Sequence, residues 1–249
     1  MIRGSIQRVA LVTDFGAGIY TGQIGARLSA LLPGLPVIDL VHDLPPFRPD
    51  LAAYLFPALL RDMPPRTLYL GIVDPGVGGA RAGLAVESDG SWLVGPDNGL
   101  FSRIVARASR VRTWRIDWQP ERRSASFHGR DWFAPLAARI VRGRRDGLTE
   151  IDPRSLVGAD WDDELAAIVY RDDYGNLMTG LRADRYPPTA TIAVGARRIA
   201  RARTFCEVPP GEAFWYENAL GLVEIAVNRD RADRTLGLTP GDRIGTPAD

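Results

Sequence analysis

Two nearly unbroken apolar runs, RVALVT (Arg8–Thr13) and TLYLGIV (Thr67–Val73), each lead straight into an aspartate, Asp14 and Asp74. A strand with no polar face has to be covered on both sides, which points to a parallel sheet between helices. Between the two runs the apolar period changes. Tyr20–Leu32 sets Ile24, Leu28, Leu31 and Leu32 along one helical face before Pro33 and Gly34 stop it, and Pro49–Leu60 does the same with Leu51, Leu55, Ala58 and Leu59. Pro36–Leu40 reads as a further strand, Ala82–Glu87 and Ser91–Val94 as a hairpin over Ser-Asp-Gly, and Val111–Ile116 as another strand. PDNGLFSRIVARA reads as a turn entering a helix, and Trp132–Val141 as the last helix of the series. This alternation predicts an α/β domain with a mostly parallel sheet flanked by helices. Ligands of such sheets bind beyond the carboxyl ends of the strands, so Asp14 and Asp74 are expected to face one crevice.

The pattern breaks at Gly143–Asp163, which is polar and irregular. Beyond it, AAIVYRDDYGNLMTGL, TATIAVGARRI, ARTFCEV, AFWYENALGLVEIAV and DRIGTP are short strand-like runs separated by turns. We therefore expect an α/β domain over residues 1–145, a linker over 146–163, and a small all-β, barrel-like domain over 164–249.

Composition narrows the chemistry. The 31 basic residues, all arginine, balance 30 acidic ones, so there is no electrostatic case for a nucleic-acid partner. The absence of lysine excludes Schiff-base catalysis and the lysine of a phosphate-binding P-loop. One cysteine, Cys206, and two histidines, His42 and His128, argue against a disulfide framework and a multi-histidine metal site. The apolar stretch near the N-terminus is too short for a signal peptide and no stretch is long enough to span a membrane, so a cytoplasmic protein is expected.

Three short motifs concentrate reactive side chains. In DPGVGGAR, Asp74 and Arg81 flank a flexible bridge; Asp-Pro-Gly alone is a common turn, and the pattern is a poor match to a dinucleotide-binding glycine loop. In FHGRD, His128 precedes Arg130 and Asp131, which could simply cap and pair at a helix start. TDFG lacks the lysine and His-Arg-Asp that accompany the protein-kinase DFG. His42, in VHDLPPF, is expected to be structural and to hydrogen-bond a loop. Asp172 and Asn176 in DDYGN, and Asn218 in YENALG, have turn-forming character.

Together, TDFG, VHDLPP, VDPGVGGAR, VGPDNGL, SFHGRDWFAPLAA, DDYGNLMT and NALGLVEIAVN resemble, in order and over nearly the whole chain, the S-adenosyl-L-methionine (SAM) hydrolases, or SAM hydroxide adenosyltransferases, relatives of the SAM-dependent chlorinase and fluorinase. The resemblance implies an N-terminal α/β domain, a C-terminal barrel-like domain, and a homotrimer with active sites between subunits. It also implies SAM as substrate, adenosine and L-methionine as products, and no cofactor or metal. Its catalytic set corresponds to Asp74, Arg81 and His128; the halogenases lack this set, so water is favoured over halide. By the same resemblance Asp14 binds the ribose hydroxyls, Asp172 and Asn176 contact the methionine portion or the ribose, and the segment with Asn218, Glu224 and the Val227 backbone lines the adenine side. Two positions depart from the family pattern. Ala219 stands where a serine is usual and Gly180 where an asparagine is usual, implying altered binding of the amino-acid end. Halogenase-type chemistry and a non-catalytic SAM- or adenosine-binding protein are the alternative readings.

Overall fold

The computed structural model describes residues 5–248. The chain divides into two compact units. The first comprises the described residues up to Ala53 and Asp62–Trp161; the second comprises Tyr54–Arg61 and the chain from Asp162 onward.

The first unit is built on a seven-stranded sheet. Its elements are β1 (Arg8–Thr13), α1 (Ile19–Leu31), β2 (Val37–Val41), the start of α2 (Pro49–Leu60), β3 (Thr67–Ile72), β4 (Gly83–Ser88), β5 (Ser91–Pro96), α3 (Ser102–Arg107), β6 (Val111–Ile116), α4 (Ala134–Val141) and β7 (Leu148–Ile151). The strand order is β2-β1-β3-β5-β4-β6-β7. The pairs β1–β2, β1–β3 and β3–β5 are parallel, while β4–β5, β4–β6 and β6–β7 are antiparallel. The sheet is therefore mixed, with its parallel half on the side that carries Asp14 and Asp74. The reversal follows from chain length: Asp89–Gly90 joins β4 to β5 in a turn far too short for the crossover that a parallel pair needs.

Ile24 and Leu28 of α1 and Phe133, Leu136 and Ile140 from the α4 segment pack on one face against Leu68, Leu70 and Ile72 of β3. All of them are almost fully buried, each contributing roughly 1.5–3 kcal/mol of burial. One expectation is corrected here. Leu148–Ile151, within the stretch expected to be a linker, pairs with β6 as the edge strand β7, and the Thr113 hydroxyl donates to Ile151 O at 2.7 Å. The segment that follows is pinned by buried Arg103, which donates to the carbonyls of Gly158 (2.7 Å) and Trp161 (2.5 Å). A four-residue strand with only two apolar positions carries too weak an alternation to be read in advance.

The second unit is antiparallel throughout its sheets. β8 (Leu165–Arg171), β9 (Leu177–Arg182), β12 (Ala213–Glu217) and β13 (Leu222–Val227) form a sheet in the order β12-β13-β9-β8, and β10 (Thr191–Val194) pairs with β11 (Arg197–Ala200). A short helix, α5 (Ala232–Leu236), follows β13. Trp215 is at its core among Ile168, Leu177, Leu181, Ile192 and Ile225, and its indole N–H donates to Ala190 O at 2.9 Å. Among the described residues no helix is long and apolar enough to cross a membrane.

β3 and β5 approach so closely that a Cβ on Gly95 would lie 2.1 Å from Gly71 O. Gly95→Ala is expected to lower stability by about 1–3 kcal/mol through this clash. A lowered midpoint of chemical unfolding is the readout; an unchanged midpoint contradicts the packing described.

Candidate active site

The parallel strands deliver their reactive residues to one edge. β1 and β3 are in register, with Thr13 opposite Ile72, so Asp14 and Asp74 leave the sheet from neighbouring strands. β5 runs parallel to β3, and just beyond it the Asn98 side chain donates to Val73 O at 2.7 Å, fixing the carbonyl that precedes Asp74.

From Asp74 the chain turns tightly, with Val77 N–H donating to Asp74 O and Gly79 N–H to Gly76 O, and returns Arg81 to the aspartate. Arg81 Nε donates to both carboxylate oxygens, at 2.9 and 3.1 Å, and Nη2 donates to Oδ2 as well. Both side chains are nearly closed to solvent. Nη2 also donates to His128 Nδ1 at 2.8 Å, so a single guanidinium joins the three residues. The third nitrogen, Nη1, is buried and has no hydrogen-bond partner among the described residues. The guanidinium is backed by the rings of Trp132 and Phe133, with centroids 5.4 and 5.1 Å from Cζ.

His128 is 3% exposed and stands immediately before a π-helical turn, Gly129–Phe133, that runs into α4. Such turns widen a helix locally and recur at functional sites. Its ring meets Trp132 edge-on at 5.5 Å. Because Nδ1 accepts from Arg81, the neutral ring carries its proton on Nε2. Burial, and next the Arg81 and Arg123 charges, hold its pKa below the ordinary histidine value of 6.5, while Asp74 and Asp131 oppose the shift. The neighbouring Arg130 and Asp131 pair with each other at 2.6 Å as expected, but Asp131 lies inside the π-helical turn and does not cap it.

Asp14 is half-buried. Burial raises its carboxyl pKa above the usual value, the Phe47 N–H bonded to Oδ2 at 3.0 Å works against this, and the Asp74 charge adds to the rise.

The second unit gathers another group. Asp172 accepts from the Asn176 backbone N–H (2.8 Å) and side-chain amide (2.9 Å), closing the DDYGN turn. Asp172, Asn176 and Val227 line a cavity of about 630 Å³ with Tyr174, Phe205, Tyr216 and Arg229. Asn218 and Glu224 do not line it. Glu224, 2% exposed, accepts from Tyr216 OH at 2.5 Å and from the Asn218 amide at 2.7 Å, while Asn218 Oδ1 accepts from Leu220 and Leu222 N–H. Burial is the main cause of the raised Glu224 pKa, with the Asp172 charge adding to it, and Tyr216 is raised likewise by burial and then by Glu224. These polar atoms are spent on one another, so the pair supports the Tyr216 wall. Gly180 faces Leu165 in the β8–β9 ladder, where a Cβ would lie 2.7 Å from Leu165 Cβ; strand packing accounts for this departure from the expected pattern. Ala219 lines a separate cavity with Arg201, Glu217 and Asn218.

Sequence reasoning named Asp74, Arg81 and His128, which are joined by hydrogen bonds, but passed over Asn98, Trp132 and Phe133 as parts of the surroundings. Their sequence positions look like turn or core, and only the fold gives them neighbours. Among the described residues no group of three or more His, Cys, Asp or Glu could hold a metal ion.

Two family models match the chain: the SAM hydroxide adenosyltransferase N-terminal domain over residues 9–150 and the C-terminal domain over residues 166–245. The chain belongs to the SAM hydroxide adenosyltransferase family. Among similar members, a protein from Thermus thermophilus is 37% identical over 252 residues, covering 94% of this chain and 96% of the relative. One from Salinispora arenicola is 34% identical over 259 residues, covering 96% and 97%. Both relatives are named (R)-S-adenosyl-L-methionine hydrolase. A solved structure of an uncharacterized conserved protein from Thermotoga maritima superimposes with a TM-score of 0.84 at 26% identity, covering 95% of this chain and 98% of that one.

With only two histidines, nitrogen NMR can follow His128 once His42→Asn has assigned the other signal. His128 is expected to show the Nε2-protonated tautomer and a pKa below 6.5, and Arg81→Ala to raise that pKa by removing a nearby cation. An Nδ1-protonated ring, or a pKa indifferent to Arg81, contradicts the hydrogen-bond chain.

Proposed function

We propose that the protein hydrolyses SAM by attack of a water-derived hydroxide at C5′, releasing adenosine and L-methionine. Family membership and the names of the curated relatives support the reaction. The observation that carries the mechanism is the Asp74–Arg81–His128 chain with one guanidinium nitrogen unspent.

The substrate brings its own leaving group. As the C5′–O bond forms, the C5′–S bond breaks, its electron pair returns to sulfur, and the sulfonium becomes the neutral thioether of methionine. No acid is needed for departure and no electron carrier takes part, so we propose that the reaction needs no cofactor. The difficulty is the nucleophile, since bulk water has a pKa of about 15.7. Arg81 is permanently cationic and lies in a site shielded from bulk solvent, where a fixed charge stabilises a developing oxyanion strongly. Asp74 holds the guanidinium plane by its two oxygens. His128, with Nδ1 occupied, offers its Nε2–H to orient the oxygen, and the proton lost by water passes to solvent. Charge balances: a cationic substrate and water give two neutral organic products, counting methionine as its zwitterion, and one proton.

In the same reading the Asp14 carboxylate accepts from the ribose hydroxyls. Asp172 and Asn176 contact the methionine portion or the ribose, and the Val227 backbone lies on the adenine side of the aromatic cavity. We also propose a homotrimer with sites between neighbouring subunits. The relatives' names specify the (R) form, which we carry over as the preferred configuration at sulfur.

The test is incubation with each sulfonium epimer of SAM in the presence of chloride. Adenosine and methionine in equal amounts, faster from the (R) epimer, are expected, and Arg81→Ala should lower kcat by about 10²–10³. Formation of 5′-chloro-5′-deoxyadenosine overturns hydrolysis in favour of halogenation, and binding without turnover overturns it in favour of a binding protein.

A further inference from the structure

The VHDLPPF segment plays no part in the reaction described above, yet its hydrogen bonds converge on the residues around Asp14. Gly16 N–H donates to His42 O at 2.6 Å and Leu44 N–H donates to Thr13 O at 3.3 Å. The His42 ring bridges two strands: Nε2 lies 3.0 Å from Asp39 Oδ1 in the middle of β2, and Nδ1 lies 2.9 Å from the Thr13 hydroxyl at the end of β1. A neutral ring protonated on Nε2 donates to Asp39 and accepts from Thr13, whose oxygen then accepts from Phe15 N–H at 3.3 Å. Finally, Phe47 N–H donates to Asp14 Oδ2 at 3.0 Å. Every residue from Thr13 to Gly16 is tied directly or through one neighbour to this segment.

Phe47 shows that the arrangement is held against a cost. Its φ is +63°, in the left-handed region, and Arg48 N–H donates to Pro45 O at 3.2 Å. Proline at the second position and positive φ at the third define a type II turn, whose third position favours glycine. Phenylalanine there is strained, and strain of this kind persists only where the surroundings over-determine it. Side-chain burial does not supply the reason, because Phe47 is 72% exposed. What the conformation secures is the direction of its N–H toward Asp14.

We propose that the Val41–Phe47 loop is the positioning device of the ribose site, with His42 and the Phe47 backbone N–H as its working parts. It holds one oxygen of Asp14 and leaves the other to select a ribose over a deoxyribose. It also keeps that carboxylate in place beside the like charge of Asp74. The proposal rests on the reading of Asp14 as the ribose acceptor. His42 and Phe47 act through Asp14 and are positioning residues.

The experiment compares steady-state kinetics on SAM and on its 2′-deoxyribosyl counterpart. The wild type is expected to favour SAM by about 10- to 100-fold, the worth of a hydrogen bond to a charged group, and Asp14→Asn to lose most of that preference. Thr13→Val and His42→Ala should approach Asp14→Asn, chiefly through a raised KM for SAM with kcat much less affected. His42→Asn, whose amide can still meet the Thr13 hydroxyl, should recover most of the preference. Phe47→Gly keeps the N–H and relieves the strain, so it should melt no lower than the wild type. Full preference in His42→Ala and Thr13→Val overturns the positioning role while leaving Asp14 as the ribose acceptor. Full preference in Asp14→Asn overturns the ribose assignment itself, and the proposal with it. Should His42→Ala fail to fold, Thr13→Val and His42→Asn decide the matter alone.

Discussion

The Asp74–Arg81 ion pair is the constraint around which the first unit's crevice is organised. A guanidinium this closed to solvent is tolerable only beside an opposite charge, because an unpaired buried charge costs about 3–5 kcal/mol. Asp74 meets Nε and Nη2, His128 takes a second bond from Nη2, and the rings of Trp132 and Phe133 back the cation. Each of these groups is then fixed in turn. Asn98 anchors the carbonyl ahead of Asp74, the π-helical turn sets the angle of His128, and the bond from Arg81 selects the histidine tautomer. The one nitrogen left over, Nη1, is the group a nucleophilic oxygen meets under the proposed reaction.

That organisation explains why a chain without lysine is suited to the proposed displacement at a sulfonium carbon. The leaving group needs no help, so the protein's task reduces to presenting an oxygen nucleophile and holding the sugar still. Arginine suits the first task because it stays charged at any working pH, and a carboxylate suits the second because it accepts from vicinal hydroxyls. Asp14 and Asp74 are like charges brought to one sheet edge. Arg81 neutralises one of them and the Phe47 N–H steadies the other, so their proximity is sustained.

Much of this was legible in the sequence where the signal was local. The long apolar runs marked β1 and β3, helical spacing placed α2 at Pro49–Leu60, and the position of Asp14 and Asp74 directly after strands located the crevice edge. The DPGVGGAR and FHGRD motifs named the residues that Arg81 joins. Features set by distant partners were not legible. β7 exists only because β6 offers it an edge, whereas the antiparallel β4–β5 pair is the hairpin read over Ser-Asp-Gly. Nothing in the segment NALGLVEIAVN announces that Asn218 and Glu224 hydrogen-bond to each other. Phe47 gives no hint of its left-handed backbone, since a turn of that kind ordinarily announces itself with glycine.

The most direct test of the central claim is turnover of SAM in oxygen-18 water, followed by mass spectrometry of the adenosine. The account predicts one labelled oxygen at the 5′ position from the wild type, with the rate of its incorporation collapsing in Arg81→Ala. Unlabelled adenosine, or label incorporated equally fast without Arg81, would contradict attack of a water-derived oxygen at a carbon facing this guanidinium.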